Sequence, residues 1–210
     1  TLRLAGQING SGTLSLTGGA VVVDDPSFHA LAMNGGTLQL YADLTLNKFV
    51  YNSGAMALSG AASALTVADD LILQSSLDFS NVSNLVLDAS VVTINTGASL
   101  TYDKALTIGS IEIRNGSALN LGSNALSVGT LTWRNGGNLN ASGPITIGTS
   151  MTVWPQRTIA NQLLGAGNLY IGDPSDSWGY VQLTGTNAYT GKTQIRRAVL
   201  QAHENMGLPT

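Results

Sequence analysis

From Leu119 the chain alternates apolar and polar residues in short bursts: Leu119-Asn120-Leu121, Leu126-Ser127-Val128 and Leu131-Thr132-Trp133. A period of two marks a half-buried strand, because successive side chains leave opposite faces. Gly122-Ser123-Asn124 and Gly129 separate the bursts and Asn135-Gly136-Gly137 follows the last, all of it turn chemistry. Then the pattern starts again. Arg114-Asn115-Gly116 returns 20 residues later as Arg134-Asn135-Gly136. Leu139, Ile145-Thr146-Ile147 and Met151-Thr152-Val153 fill the places of the three bursts, allowing single-residue shifts. Upstream, Leu100-Thr101-Tyr102, Leu106-Thr107-Ile108 and Ile111-Glu112-Ile113 do the same. Looser copies begin at Asn34, Asn52 and Ser75, with insertions near turns, where repeat proteins tolerate them.

Asn-Gly pairs between alternating segments also suit antiparallel hairpins. Parity argues against a meander. Three strands per repeat would reverse the strand direction in every other copy, so equivalent residues would not share an environment. In a solenoid they stack over one another. The pattern therefore predicts an all-β fold, a right-handed parallel β-helix with about 20 residues and three strands per rung. Nine or ten rungs spaced by about 4.8 Å would form a rod of roughly 45 Å. Leu119, Leu121, Leu126, Val128 and Leu131 should line its interior. Asn95, Asn115 and Asn135 should share a corner as turn residues that tolerate a left-handed backbone. Residues 1–160 read as regular rungs and 161–210 as C-terminal rungs of the same solenoid, in which the period blurs.

Composition agrees with this reading. Charged residues are 10% of the chain, against about 25% in an ordinary soluble domain. A charge repeated each turn would face its own copy at strand spacing, where like charges oppose pairing. Net charge is -3 from 9 basic and 12 acidic residues spread thinly, with no basic stripe for a phosphate backbone, which argues against nucleic acid. No apolar run reaches the roughly 18 residues of a membrane-spanning helix, and no signal peptide opens the chain. Thr1 in place of Met points to an excised fragment or a processed form. The absence of cysteine rules out disulfides and thiolate metal sites, and suits a chain that crosses an outer membrane before folding.

The run Leu183-Thr184-Gly185-Thr186-Asn187-Ala188-Tyr189-Thr190-Gly191-Lys192-Thr193-Gln194-Ile195, followed by Ala198-Val199-Leu200-Gln201-Ala202, resembles the passenger-associated transport repeat. That repeat belongs to β-helical passengers of Gram-negative autotransporters, and related repeats occur in two-partner-secreted adhesins. Ile8-Asn9-Gly10-Ser11-Gly12-Thr13-Leu14-Ser15-Leu16-Thr17-Gly18 is similar to an element that accompanies it. Lys192 and Arg196-Arg197-Ala198 depart from the usual small residues. The resemblance implies a secreted, cell-surface location and an outer-membrane β-barrel translocator as partner. It also implies a C-terminal segment, from about residue 161, that nucleates rung stacking. The expected activity is non-enzymatic: adhesion to host-surface or matrix glycan or protein, or self-association between cells in aggregates and biofilm.

Candidate chemistry is sparse. Gly191-Lys192-Thr193 suggests a phosphate loop, but the required earlier glycine falls on Thr186. His29 and His203 lack any catalytic or metal-binding context, and no cofactor is expected. Asp24-Asp25 and Asp69-Asp70 read as solvated turns rather than calcium loops. Arg114 and Arg134 stack one rung apart, either as solvated side chains or as a site for an acidic group. The candidate ligand-contact loop is Gly172 to Tyr180, with Asp173, Asp176, Trp178 and Tyr180 as contact residues, where Pro, Gly and Asp break the period and aromatics could stack on a sugar. Two other readings stay open: a passive stalk or autochaperone segment, and a polysaccharide-acting enzyme, which would need converging carboxylates.

Overall fold

The computed structural model describes residues 2–4, 11–23, 29–58, 64–172, 178–202 and 208. All of its regular structure is strand, and every strand pairing is parallel. The chain is a β-solenoid. One column of stacked residues runs Leu14, Leu31, Phe49, Leu71, Val92, Ile111, Leu131, Met151, Leu169 and Thr193, with steps of 17 to 24 residues. Its nine steps, at about 4.8 Å each, give a stack of about 43 Å. Two residues further along each rung a second column runs Leu16, Met33, Tyr51, Leu73, Ile94, Ile113, Trp133, Val153, Ile171 and Ile195.

Up to the last rung, where Ile195 is 52% exposed, these columns point inward and merge with their neighbours into one continuous core from Leu16 to Tyr189. Full burial of each aliphatic side chain contributes roughly 1.5–3 kcal/mol before ordering entropy is set against it. The three segments expected in each rung are present. The second and third run on as one bent strand, as in Leu126–Trp133. At the bend the register with Ile145–Val153 shifts between Val128 and Thr130, a bulge that turns the sheet. Gly109 and Gly129 stack there, and a Cβ on Gly129 would run into the carbonyl oxygen of Gly109.

The first segment forms a separate four-stranded sheet of Leu77–Asp78, Ser99–Thr101, Ala118–Gly122 and Asn138–Ala141. Leu77, Leu100, Leu119 and Leu139 stack inside it. Outside, Asn140 Nδ2 donates to Asn120 Oδ1 at 2.6 Å and Asn120 Nδ2 to Thr101 Oγ1 at 3.1 Å. Uncharged polar residues thus bond to their own stacked copies. One charged pair across adjacent strands is of opposite sign: Lys48 lies beside Asp70, 3.3 Å apart. Further on, Arg157–Ile159, Tyr180–Leu183 and Val199–Ala202 form a three-stranded sheet.

The left-handed turn position is not taken by asparagine as expected. It belongs to Gly97, Gly116 and Gly136, with φ of 83°, 71° and 69°. Ile94 pairs with Ile113, so Asn95 aligns with Arg114 and Thr96 with Asn115. Each turn closes on itself, with the N–H of Ala98, Ser117 and Gly137 donating to the carbonyl of Asn95, Arg114 and Arg134 at 3.0, 3.1 and 3.2 Å. The turns also bond to one another, Gly97 N–H to Gly116 O and Gly116 N–H to Gly136 O, both at 2.9 Å.

The run Leu183 to Ile195 builds one rung. Asn187 Oδ1 accepts the Leu163 N–H at 2.7 Å, and Asn168 Oδ1 accepts the Lys192 N–H at 2.9 Å. Tyr189 is fully buried, its hydroxyl 2.5 Å from Thr193 Oγ1. Gly191-Lys192 leads into the strand Thr193–Ile195, so the helix that a phosphate loop requires does not follow.

Candidate functional site: an arginine and tryptophan corner

Counting onward from the second inward column locates one corner of the solenoid in each rung. On five successive rungs that corner, or the column residue beside it, carries all three tryptophans of the chain and five of its six arginines. The residues are Arg114, then Trp133 and Arg134, then Trp154 and Arg157, then Trp178, and last Arg196 and Arg197. Basic residues are therefore not spread thinly, as the sequence alone suggested.

Arg114 and Arg134 do stack one rung apart, and the acidic group between them is the chain's own Glu112. Arg114 Nε and Nη2 lie 2.9 and 2.8 Å from Glu112 Oε2, and Arg134 Nε bonds to Oε1. Partial burial pushes the Glu112 carboxyl up, but the hydrogen bonds and charges of Arg134 and Arg114 outweigh it and hold the group below its ordinary value. One carboxylate thus serves two guanidiniums and leaves the trio with a positive charge. Each arginine remains nearly half exposed, at 46% and 43% of its side chain.

Three guanidiniums of this corner sit over aromatic rings. Arg134 lies over the Trp154 ring at 4.6 Å, Arg157 over Trp133 at 4.4 Å, and Arg196 over Tyr170 at 4.0 Å. Such contacts contribute roughly 0.5–2 kcal/mol each. Arg157 also donates to the carbonyls of Gly137, at 2.9 Å, and Arg134, so it caps the turn on the rung below. Burial pushes Arg157 down to about 10, well above neutrality, so it keeps its charge at pH 7. Arg196 is fixed from its other side by Gln194 Oε1, 3.2 Å from Nε and 2.9 Å from Nη2. Trp154 Nε1 and Arg157 Nε are buried without an acceptor among the described residues.

Backbone strain collects at the same corner. Gln156 and Arg197, with φ of 67° and 49°, are the left-handed residues other than glycine among those described. Gln156 stands three places past the column residue Val153, as Gly136 stands past Trp133. A side chain there costs roughly 1–2 kcal/mol relative to glycine, and such outliers gather at functional positions.

The predicted loop meets this corner at its described ends, where a Cβ on Gly179 would run into Pro155 and one on Gly172 into the carbonyl oxygen of Arg196. Asp173 and Asp176 lie outside the described residues. Trp178 is 67% exposed; Tyr180, 48% exposed, opens the strand Tyr180–Leu183, so only Trp178 of the two precedes the strand. Sequence reasoning singled out Arg114, Arg134, Trp178 and Tyr180 separately and did not join them with Trp133, Trp154, Arg157 and Arg196. The available signal was the distance of each from its inward column.

The other candidates stand apart. His29 is exposed, and its carbonyl accepts the N–H groups of Asn47 and Lys48 at 2.9 and 3.2 Å. Asp69 accepts from Asn47 Nδ2 at 3.0 Å, and Asp70 pairs with Lys48. Asp24, Asp25 and His203 lie outside the described residues. Among those described, no three His, Cys, Asp or Glu side chains gather closely enough to hold a metal. A depression of about 260 Å³ along the start of the strand Asn84–Ile94 has one acid, Asp88, and neither base nor histidine in its lining. The chain matches no protein-family model, no curated protein and no solved structure, so its own chemistry is what speaks for its function.

Proposed function

We propose that this chain is a non-enzymatic segment of a secreted, cell-surface β-helical adhesin, a rigid rod that carries its contact residues along one corner. One observation supports this most directly. A solenoid core runs unbroken through about nine turns, while aromatic rings, arginines, backbone strain and the longest departure from the period share a single edge of it. The outer face of the four-stranded sheet, by contrast, presents Asn and Thr residues bonded to their own stacked copies. The likeness of Leu183 to Ala202 to a transport repeat supports the secreted location and a β-barrel translocator.

The test is display of the chain on a bacterial surface that does not otherwise adhere or aggregate. Residues 173–178 are replaced by an Asn-Gly link, and protease resistance reports whether the rod has folded. The reading expects a resistant rod with adhesion and aggregation lost. Undiminished adhesion by the relinked rod would instead favour a passive stalk whose contacts lie elsewhere.

A further inference from the structure

We infer that the arginine and tryptophan corner binds an acidic glycan: a sugar chain bearing carboxylate or sulfate groups, laid lengthwise along the edge of the rod. The inference rests on the adhesin reading for its setting and adds the ligand class.

Three features of the corner converge on this chemistry. The first is a linear array of cations. Arg114, Arg134 and Arg196 each directly follow the second column, the first two on successive rungs about 4.8 Å apart and the third three rungs further on, while Arg157 between them is committed to the carbonyls of Gly137 and Arg134; among the described residues Glu112 is the lone acid bonded to them. A linear array suits a linear polyanion better than a compact ion. Guanidinium groups present planar forks of donors that match carboxylate and sulfate oxygens.

The second feature is order before binding. Glu112 and Trp154 hold Arg134, and Gln194 and Tyr170 hold Arg196. Freely rotating arginines would lose conformational entropy on capture of a ligand, and these have already lost it on folding. The third is a pair of exposed aromatics, Trp178 and Tyr180, where Tyr180 directly precedes Val181, the strand partner of Arg157. An indole at 67% exposure contributes little to the stability of the rod. Its flat apolar face with a polar edge is the surface on which the C–H face of a sugar ring stacks.

Charge along the chain agrees. Residues 1–105 hold eight acidic and three basic residues, and residues 106–210 hold four acidic and six basic. The acid-rich half repels a polyanion and leaves the corner of the basic half as the place where it can lie. That imbalance also disfavours nucleic acid, whose long phosphate backbone demands a longer basic track.

The experiment measures binding of the purified 210-residue chain to polygalacturonate and heparin, as carboxylated and sulfated probes. Dextran is the neutral control, polyglutamate the acidic control without sugar, and single-stranded DNA the other polyanion. Binding to one or both acidic glycans, weakened by salt and absent for dextran, is expected. Arg134→Gln and Arg196→Gln should each lower affinity at least about tenfold, and Trp178→Ala about fivefold. Glu112→Gln removes the negative charge of the corner while its amide oxygen can still accept from an arginine, and should tighten binding even as it loosens the rod, a sign that a purely structural role would not produce. Arg196 lies rungs away from the Glu112 trio, so misfolding of one variant leaves the other to decide.

Absence of binding to both acidic glycans would overturn the inference, as would equal binding of polyglutamate or DNA. Adhesion by displayed chain without any glycan binding would sink the inference and leave the adhesin reading standing. Glycan binding by a chain that gives displayed cells no adhesion or aggregation would do the reverse.

Discussion

Glu112 sets the electrostatics of the corner, because it is the carboxylate that Arg114 and Arg134 share. Its folded-state carboxyl lies below the unfolded value of about 4.3. The stabilisation it brings is therefore complete above that value and is lost as pH falls through the folded pKa. Glu112→Gln should lower stability by about 1 kcal/mol at pH 7 and flatten the acid limb below about pH 4, which thermal midpoints across pH 2 to 7 measure. An acid limb unchanged from the native chain would mean that the trio does not contribute. Gln156 is the second residue-scale case. Gln156→Gly should raise stability by about 1 kcal/mol, since the strain it removes exceeds the entropy that glycine adds to the unfolded chain. The same midpoint reports it. Neither effect was legible in the sequence: the Arg-Asn-Gly recurrence located the turn, but Gln156 is seen to stand in the place of Gly136 only once the pairing of Trp133 with Val153 is known.

Individual rungs are held by what stacks above and below them, so an element's weak points are its closest approaches. Gly109 and Gly129 bend successive strands back to back, and Gly129→Ala forces a Cβ into the carbonyl of Gly109. A cost of about 1–3 kcal/mol is expected, read from the denaturant midpoint. Leu131→Ala, in the middle of the first inward column, should cost about 2–5 kcal/mol. The strands were legible because alternation of Leu119, Leu121, Leu126, Val128 and Leu131 carries burial directly, and all five are buried. The joining of the second and third strands was not, since Gly129 reads as a turn and acts as a bulge. The motif of Leu183 to Ile195 gains a physical basis at this scale. Its Asn187 clamps the Leu163 N–H, and its fully buried Tyr189 stands between Ala188 and Thr190, whose N–H groups donate to the carbonyls of Leu163 and Gly165 on the rung below.

At the scale of the whole molecule, regularity and chemistry are separated in space. The columns make a stiff rod, and one corner gathers arginines, tryptophans and strain over five rungs. The rod was readable from periodicity alone. The corner was not, because its residues lie up to about 80 positions apart in sequence and meet only once the register of each rung is known. The most direct test compares adhesion by cells displaying three folded rods. One is native, one carries Trp178→Ala with Tyr180→Ala at the corner, and one carries Asn120→Ser with Asn140→Ser on the four-stranded sheet. The expected result is loss of adhesion for the corner variant alone. Equal adhesion by all three, or equal loss from both altered faces, would contradict the assignment of function to the corner.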